Sequence, residues 1–128
     1  MIVLDASVLI ACLDGQDNHH ARAEALLSRE IDDDFAFSSL TLADVLVAPV
    51  REKRLVAVLA ALRSFEVQEL PFPADTAVKL ADLRAGTSLK LPDCCVLLAA
   101  ETAQARLASF DDRLSAAHAA RGLVILGS

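Results

Sequence analysis

Four aspartates, Asp5, Asp44, Asp93 and Asp111, are the residues whose type and placement point to chemistry in this sequence. Two carboxylates held about 4 Å apart repel each other by roughly 4 kcal/mol at an effective dielectric constant near 20. A cluster of them therefore requires protons or a cation. A ligand set made only of oxygen suits Mg²⁺ or Mn²⁺, which keep several waters and accept phosphate oxygens. Metal-assisted phosphodiester hydrolysis is the chemistry that such a cluster favours.

Each of the four aspartates also has a simpler structural explanation. A carboxylate in the first turn of a helix accepts hydrogen bonds from backbone N–H groups and interacts favourably with the helix dipole. Helix capping would account for any one of them without a reaction. The spacing alone does not show that the four side chains converge, so the residues by themselves leave both explanations open.

The elements that must position these acids are predicted by the apolar pattern to be short strands alternating with helices. Strands are predicted over 2–4, 35–38, 66–70, 106–110 and 123–126. Helices are predicted over 7–13, 19–29, 41–48, 51–65, 74–83, 92–103 and 112–119. Thr41 and Asp44 match a capping box that opens the third helix, and Pro49 is expected to end it.

Such alternation predicts an α/β fold in which helices cover both faces of a parallel sheet. In sheets of this kind, sites form beyond the carboxyl ends of the strands, where the connections reverse direction. Asp5 and Asp111 each follow a predicted strand, Asp44 lies one turn into the helix after the second strand, and Asp93 opens a late helix. All four are therefore expected on one rim of the sheet.

Length and composition limit the class of protein. The chain of 128 residues has no Gly/Pro/Ser-rich boundary, so we expect one domain over 1–128. Hydrophobic residues make up 55%, yet the apolar runs are too short for a membrane span of roughly 18 residues. Met1 is followed by no basic region or cleavage site, so we expect a cytoplasmic protein. Cys12, Cys94 and Cys95 suit reduced core thiols, because adjacent cysteines lack zinc-ligand spacing.

The formal net charge of −6 argues against a protein that holds nucleic acid on a broad basic surface. The objection is weaker if a cation lies between the acids and a phosphate. Among the 12 Lys and Arg residues, Arg51, Lys53 and Arg54 form the densest group, for which we expect a solvated helix start.

Four segments, in order, resemble the acidic motifs of PIN domains, and most closely those of VapC toxins from VapBC toxin–antitoxin pairs. They are IVLDASVLI at 2–10, SLTLADVL at 39–46, LPDC at 91–94 and ASFD at 108–111. The resemblance implies a PIN-like three-layer α/β/α fold over 1–128, with a central parallel sheet of about five strands. It also implies an Mg²⁺- or Mn²⁺-dependent endoribonuclease, active as a toxin and neutralised by a cognate antitoxin. The family further implies a homodimer.

Carried over by position, the resemblance makes Asp5 and Asp93 the metal ligands, with Asp44 and Asp111 completing the pocket directly or through water. The second motif usually carries glutamate, so the shorter Asp44 favours contact through a water. Asp112 is a carboxylate that can substitute for its neighbour.

Further positions support these acids in the same family pattern. Ser7, Thr41 and Ser109 would orient the acids or a water, and Ser109 stands where threonine is common. Arg84 and Lys90, shortly before the third acid, are candidates for contact with RNA phosphates, with a solvated surface as the other explanation.

Two rival functions come from other classes. A PIN-like module could dock a protein partner without catalysis, although loss of one of the four acids would favour that and none is lost. Receivers and phosphatases also place acids at strand ends. Receivers need a paired acid near the first strand, and haloacid-type phosphatases need Asp-x-Asp, whereas position 7 is Ser7.

Overall fold

Five parallel strands form one sheet, in the order β3-β2-β1-β4-β5, in a computed structural model that describes residues 1–127. The elements are β1 (Ile2–Leu4), α1 (Ala6–Leu13), α2 (His20–Arg29), β2 (Phe35–Ser38), α3 (Ser39–Arg51), α4 (Leu55–Ser64), β3 (Gln68–Leu70), α5 (Thr76–Gly86), α6 (Leu91–Ala103), β4 (Arg106–Ala108), α7 (Asp112–Ala120) and β5 (Ile125–Leu126). The predicted parallel sheet is confirmed.

The central strand β1 is the point at which the chain changes direction across the sheet. β2 and β3 are added on one side of β1, and β4 and β5 on the other. Leu4 lies opposite Ala108 in the register of β1 and β4. Because the connections diverge here, a crevice opens beyond the carboxyl ends of β1 and β4. Asp5 comes directly after β1, and Asp111 is the third residue after β4.

Alternation along β1 divides the core between two helical layers. Ile2 and Leu4 are fully buried on one face and Val3 is fully buried on the other. The first face packs against side chains of α1 to α4, including Val8, Leu26, Val45 and Leu62. The second packs against side chains of α5 to α7, including Leu83, Leu97 and Leu114. Each fully buried Leu or Ile stabilises the fold by about 1.5–3 kcal/mol. The three-layer α/β/α arrangement is confirmed.

The prediction that Thr41 caps the third helix is wrong. Helix α3 begins at Ser39, and Ser38, the last residue of β2, is the cap. The Thr41 N–H donates to the Ser38 hydroxyl over 3.2 Å. The observed cap therefore lies three residues before Thr41, the residue that the predicted capping box with Asp44 placed at this position.

The prediction that Pro49 ends this helix is also wrong, since α3 continues to Arg51. Proline removes its own N–H bond, but the next turn survives, as shown by the Glu52 N–H donating to the Ala48 carbonyl over 2.9 Å. The helix predicted over 51–65 starts only at Leu55. Lys53 adopts a left-handed backbone with φ of 58°, which separates α3 from α4.

Three strands are shorter than predicted, and one of them, predicted over 123–126, begins only at Ile125. The strand predicted over 66–70 begins at Gln68, because Glu66 has φ of 55° and lies in the turn after α4. The strand predicted over 106–110 ends at Ala108. Ending there leaves three residues to turn from β4 into α7, and these residues reach the crevice.

The three cysteines are buried and free, as expected for core thiols. Burial raises the pKa of the Cys12 thiol to about 11, with the charge of Glu24 adding to the effect, so this thiol is inert near neutral pH. No helix within residues 1–127 is long and apolar enough to cross a membrane.

His118, on α7, carries a fully buried imidazole. Within residues 1–127 neither ring nitrogen makes a hydrogen bond, although a neutral imidazole always carries one N–H. Burial lowers the pKa of His118, an effect that the charge of Glu101 opposes and that of Arg121 increases. As the pH falls, His118 therefore becomes protonated at a higher pH in the unfolded chain than in the folded protein. The free energy of unfolding should fall as the pH drops below about 6.5.

We expect His118→Leu to raise the melting temperature at pH 7.5, because it removes an unpaired buried N–H that costs roughly 1 kcal/mol or more. The wild type should lose more melting temperature than the variant between pH 7.5 and pH 5. Thermal denaturation across this range checks both effects, with the exposed His19→Leu as the matched control. Parallel pH profiles for wild type and His118→Leu would contradict the assignment.

Candidate active site

A pocket of about 140 Å³ lies beyond the carboxyl ends of β1 and β4 and is lined by all four aspartates. Its lining residues are Asp5, Ala6, Ser7, Thr41, Asp44, Pro92, Asp93, Val96 and Asp111. We call it the acidic pocket. Acids separated by more than a hundred positions in the chain thus meet, at the place that the alternation of strands and helices predicted.

Asp5 is held rigidly at the base of this pocket and is only 4% exposed. Its Oδ1 accepts hydrogen bonds from the Ser7 hydroxyl over 2.6 Å and from the Val8 N–H over 3.0 Å. Its Oδ2 accepts a short hydrogen bond from the Ser109 hydroxyl. Asp5 is the N-cap of α1, so capping accounts for the Val8 bond. Capping does not require the two serine bonds or near-complete burial.

Ser109 joins two of the acids. Its hydroxyl donates to Asp5 and accepts the N–H of Asp111 over 2.9 Å. Asp111 in turn caps α7, accepting the backbone N–H groups of Arg113 and Leu114 through Oδ1. The Phe110 N–H donates to the Ser7 hydroxyl over 3.1 Å, which ties the end of β4 to the start of α1. The two strand ends are therefore fastened to each other through serine hydroxyls.

Asp93 and Asp44 complete the pocket from two helices. Asp93 lies in the first turn of α6 and is half-buried, whereas Asp44 lies in the second turn of α3 and is exposed at the rim. Thr41 also lines the pocket, but its hydroxyl bonds to that of Ser38 over 3.0 Å. Asp112 is exposed in the first turn of α7, outside the pocket lining.

The carboxylates make one another harder to ionise. Burial raises the pKa of Asp5, the hydrogen bonds from Ser109, Ser7 and Val8 oppose the rise, and the charge of Asp111 adds to it. Burial also raises the pKa of Asp93, and the charges of Asp111 and Asp5 raise it further. Arg113 and Lys90 act in the opposite direction on Asp93. A group of acids with raised pKa values is stabilised by a nearby cation.

The donor set is all oxygen and fits a hard divalent cation. Within residues 1–127, no group of three or more His, Cys, Asp or Glu side chains is arranged to hold an ion unaided. Mg²⁺ commonly uses one or two carboxylates, with water and substrate phosphate as its remaining ligands. Asp5 and Asp93 are the two carboxylates whose raised pKa values respond to their acidic neighbours. Helices α1, α6 and α7 all begin at this pocket, so their positive ends also favour an anionic substrate.

The basic residues near the pocket are only partly those that the sequence predicted. Arg84 donates to the Leu89 carbonyl over 2.9 Å and so holds the segment before α6, while Lys90 is exposed at the N-cap of α6. Arg113, which was not among the predicted site residues, opposes the rise in the pKa of Asp93 through its positive charge. A basic residue two positions after the fourth acid was the available signal. Contact of Arg84 and Lys90 with RNA stays a prediction.

Three solved structures share this fold. VapC20 from Mycobacterium tuberculosis, described as a toxin that cleaves the sarcin–ricin loop, superposes with a TM-score of 0.77 at 18% identity, over 91% of this chain and 95% of that one. A toxin–antitoxin complex from Klebsiella pneumoniae gives 0.74 at 22% identity, over 87% of each chain. FitAcB from Neisseria gonorrhoeae gives 0.73 at 21% identity, over 99% of this chain and 97% of that one.

At these identities the likeness shows a shared fold. No curated protein matches the chain significantly in sequence. A model of the PIN-domain family, however, matches residues 2–120, which include all four aspartates and every element up to the last residue of α7. The chain therefore belongs to the PIN-domain family.

Proposed function

We propose that this chain is a metal-dependent endoribonuclease that acts as the toxin of a type II toxin–antitoxin pair in the cytoplasm. The observation that carries the proposal is the acidic pocket, where Asp5, Asp44, Asp93 and Asp111 line one cavity in a PIN-domain fold. The single domain proposed over 1–128 supplies the whole pocket.

Asp5 and Asp93 would hold Mg²⁺ or Mn²⁺, and Asp44 and Asp111 would contact it directly or through water. When bound, the cation supplies positive charge that offsets the phosphate and makes a water molecule more acidic. Ser7 and Ser109 keep both oxygens of Asp5 in fixed positions. A preorganised carboxylate needs no rearrangement when the substrate arrives.

The remaining groups act on the RNA itself. The amino-terminal ends of α1, α6 and α7 present partial positive charge to the phosphodiester. Arg113 and Lys90 oppose the rise in the pKa of Asp93, and their positive charge would attract an incoming phosphate. Asp44 is exposed at the rim, which would favour contact with the cation through a water. Geometry, and not a nucleophilic side chain, would impose in-line attack.

The proposed antitoxin and homodimer partners are supported by apolar surfaces of the chain. A groove of about 520 Å³ runs beside the acidic pocket and shares Asp44 with it; Ile10, Leu13, Val45 and Val58 supply apolar lining. Ile10 is 41% exposed. An antitoxin segment seated there would reach the acids and block the pocket. Exposed apolar side chains elsewhere, including Val56 on α4 and Val78 on α5, fit a homodimer.

The test is cleavage of RNA by the purified chain, freed of any bound partner. Incubation with total bacterial RNA should yield discrete cut ends with Mg²⁺ or Mn²⁺ and none with excess EDTA, because the cation neutralises the phosphate at the acidic pocket. Mapping the cut ends would identify the substrate class. Intact RNA together with no detectable binding of either cation would instead favour the non-catalytic docking module.

A further inference from the structure

A second groove, of about 470 Å³, runs beside α7. One wall is the segment 86–89, which ends α5 and leads towards α6. The other is the face of α7 that carries Arg113, Ala116, Ala117 and Ala120, with Arg121 just beyond them. We call it the α7 groove.

Both walls of the α7 groove start at the acidic pocket. The segment 86–89 continues into Lys90, the N-cap of α6, three residues before Asp93. The helical wall begins at Asp111, the N-cap of α7, two residues before Arg113. The end of the groove at Arg113 and Leu89, which we call its mouth, therefore lies within a few residues of Asp93 and Asp111 in the lining of the acidic pocket.

The mouth carries positive charge that is free to bind an anion. Within residues 1–127, Arg29, Arg54, Lys79, Arg106 and Arg121 form ion pairs with carboxylates. Over the same residues Arg113 and Lys90 form none, and both are exposed. In a chain of net charge −6, two unpaired cations beside an acidic pocket give a local site for a phosphate.

The shape of the groove suits a polynucleotide backbone. The spacing of Arg113, Ala116, Ala117 and Ala120 places them on one helical face, over a length of about 10 Å. Alanine methyl groups leave room for an extended chain to lie along the helix. None of the residues that line the groove is aromatic, so it has no surface on which bases would stack.

We propose that the α7 groove binds the sugar–phosphate backbone of single-stranded RNA beside the cleaved bond, with Arg113 and Lys90 at its mouth. This inference rests on the proposed ribonuclease function. Contacts to the backbone position the strand and carry no base sequence information. Arg84 is a positioning residue, because its bond to the Leu89 carbonyl holds the opposite wall. At the far end Glu101 pairs with Arg121 and neutralises it.

Fluorescence anisotropy with a labelled single-stranded RNA of about 12 nucleotides tests the groove. The titrations are made with Mg²⁺ present. The protein carries Asp93→Asn in every case, so that the RNA is not cleaved during the measurement. Arg113→Ala should raise Kd about fivefold or more, since a charge-assisted contact is lost. It should also reduce the slope of log K against log salt by about 0.7. Ala116→Trp should raise Kd by filling the groove.

A gain of affinity provides the opposite test. Glu101→Gln releases Arg121 and removes a negative charge, so it should lower Kd. Arg63→Ala is the matched control, because Arg63 is an exposed arginine of α4 outside the groove, and its Kd should stay within about twofold. Melting temperatures show whether each variant is folded.

The outcomes separate the groove from the ribonuclease proposal. If the parent protein binds RNA, while Arg113→Ala and Ala116→Trp keep its affinity and its salt slope, the α7 groove does not bind RNA and the ribonuclease proposal still stands. If the parent binds no RNA and the wild type cuts none, the proposed function has failed and the groove proposal fails with it.

Discussion

Asp93→Asn is expected to lower kcat/KM for RNA cleavage by at least about 100-fold, equivalent to about 2.7 kcal/mol of transition-state stabilisation. Asn keeps the size of the side chain but lacks the charge that would hold the cation. Asp5→Asn should cause a comparable loss, because Asp5 is the second proposed ligand. Single-turnover cleavage of a mapped substrate measures both. The matched control is Asp82→Asn, which alters an exposed aspartate of α5.

Thermal denaturation gives an independent measurement for Asp93→Asn. Mg²⁺ should raise the melting temperature of the wild type, because a ligand that binds only the folded state stabilises it, and should have little effect on the variant. Without metal the variant should melt above the wild type. Burial and the charges of Asp111 and Asp5 raise the pKa of Asp93, which means that its carboxylate is less stable in the folded protein than in water.

A purely structural role for Asp93 predicts the opposite result. A carboxylate that served only the first turn of α6 would stabilise the helix by about 0.3–1 kcal/mol through the helix dipole. Its replacement would then lower the melting temperature and leave cleavage intact. A variant with lower stability and full activity would show that Asp93 is not a ligand of the cation.

Ser109→Ala is expected to reduce cleavage about 10- to 100-fold, the range found when groups that orient metal ligands are lost. The Ser109 hydroxyl donates to Asp5 and accepts the N–H of Asp111, so its removal loosens two acids at once. The concentration of Mg²⁺ that gives half-maximal activity should rise. That shift separates an orienting role from a general loss of folded protein.

Ser115 supplies the matched control for this experiment, since it is also a buried serine and lies on α7. Its hydroxyl has no hydrogen-bond partner within residues 1–127. Ser115→Ala should therefore leave cleavage within about twofold and cause no loss of stability. Equal losses of activity in the two serine variants would show that Ser109 acts through packing alone.

Local patterning predicted the elements that build the site. Short apolar runs such as 2–4 and 35–38 are buried strands, because a parallel sheet covered on both faces needs apolar residues throughout. The boundaries were less accurate. Lys53 and Glu66 adopt left-handed conformations that apolar periodicity does not encode, since they follow from the way each helix ends against the next element. Ser38 was missed as a cap because it also completes a strand.

The sequence by itself determined the residue types, the order of the four acids and their positions near strand ends and helix starts, since these are properties of neighbouring residues. Only the tertiary structure decided what these residues touch. The bond from Ser109 to Asp5 spans 104 positions and exists because β4 pairs with β1. The effect of the Arg113 charge on the pKa of Asp93 likewise depends on α6 and α7 beginning at one crevice. Contacts of this range follow from the strand order, which packing of the whole chain selects.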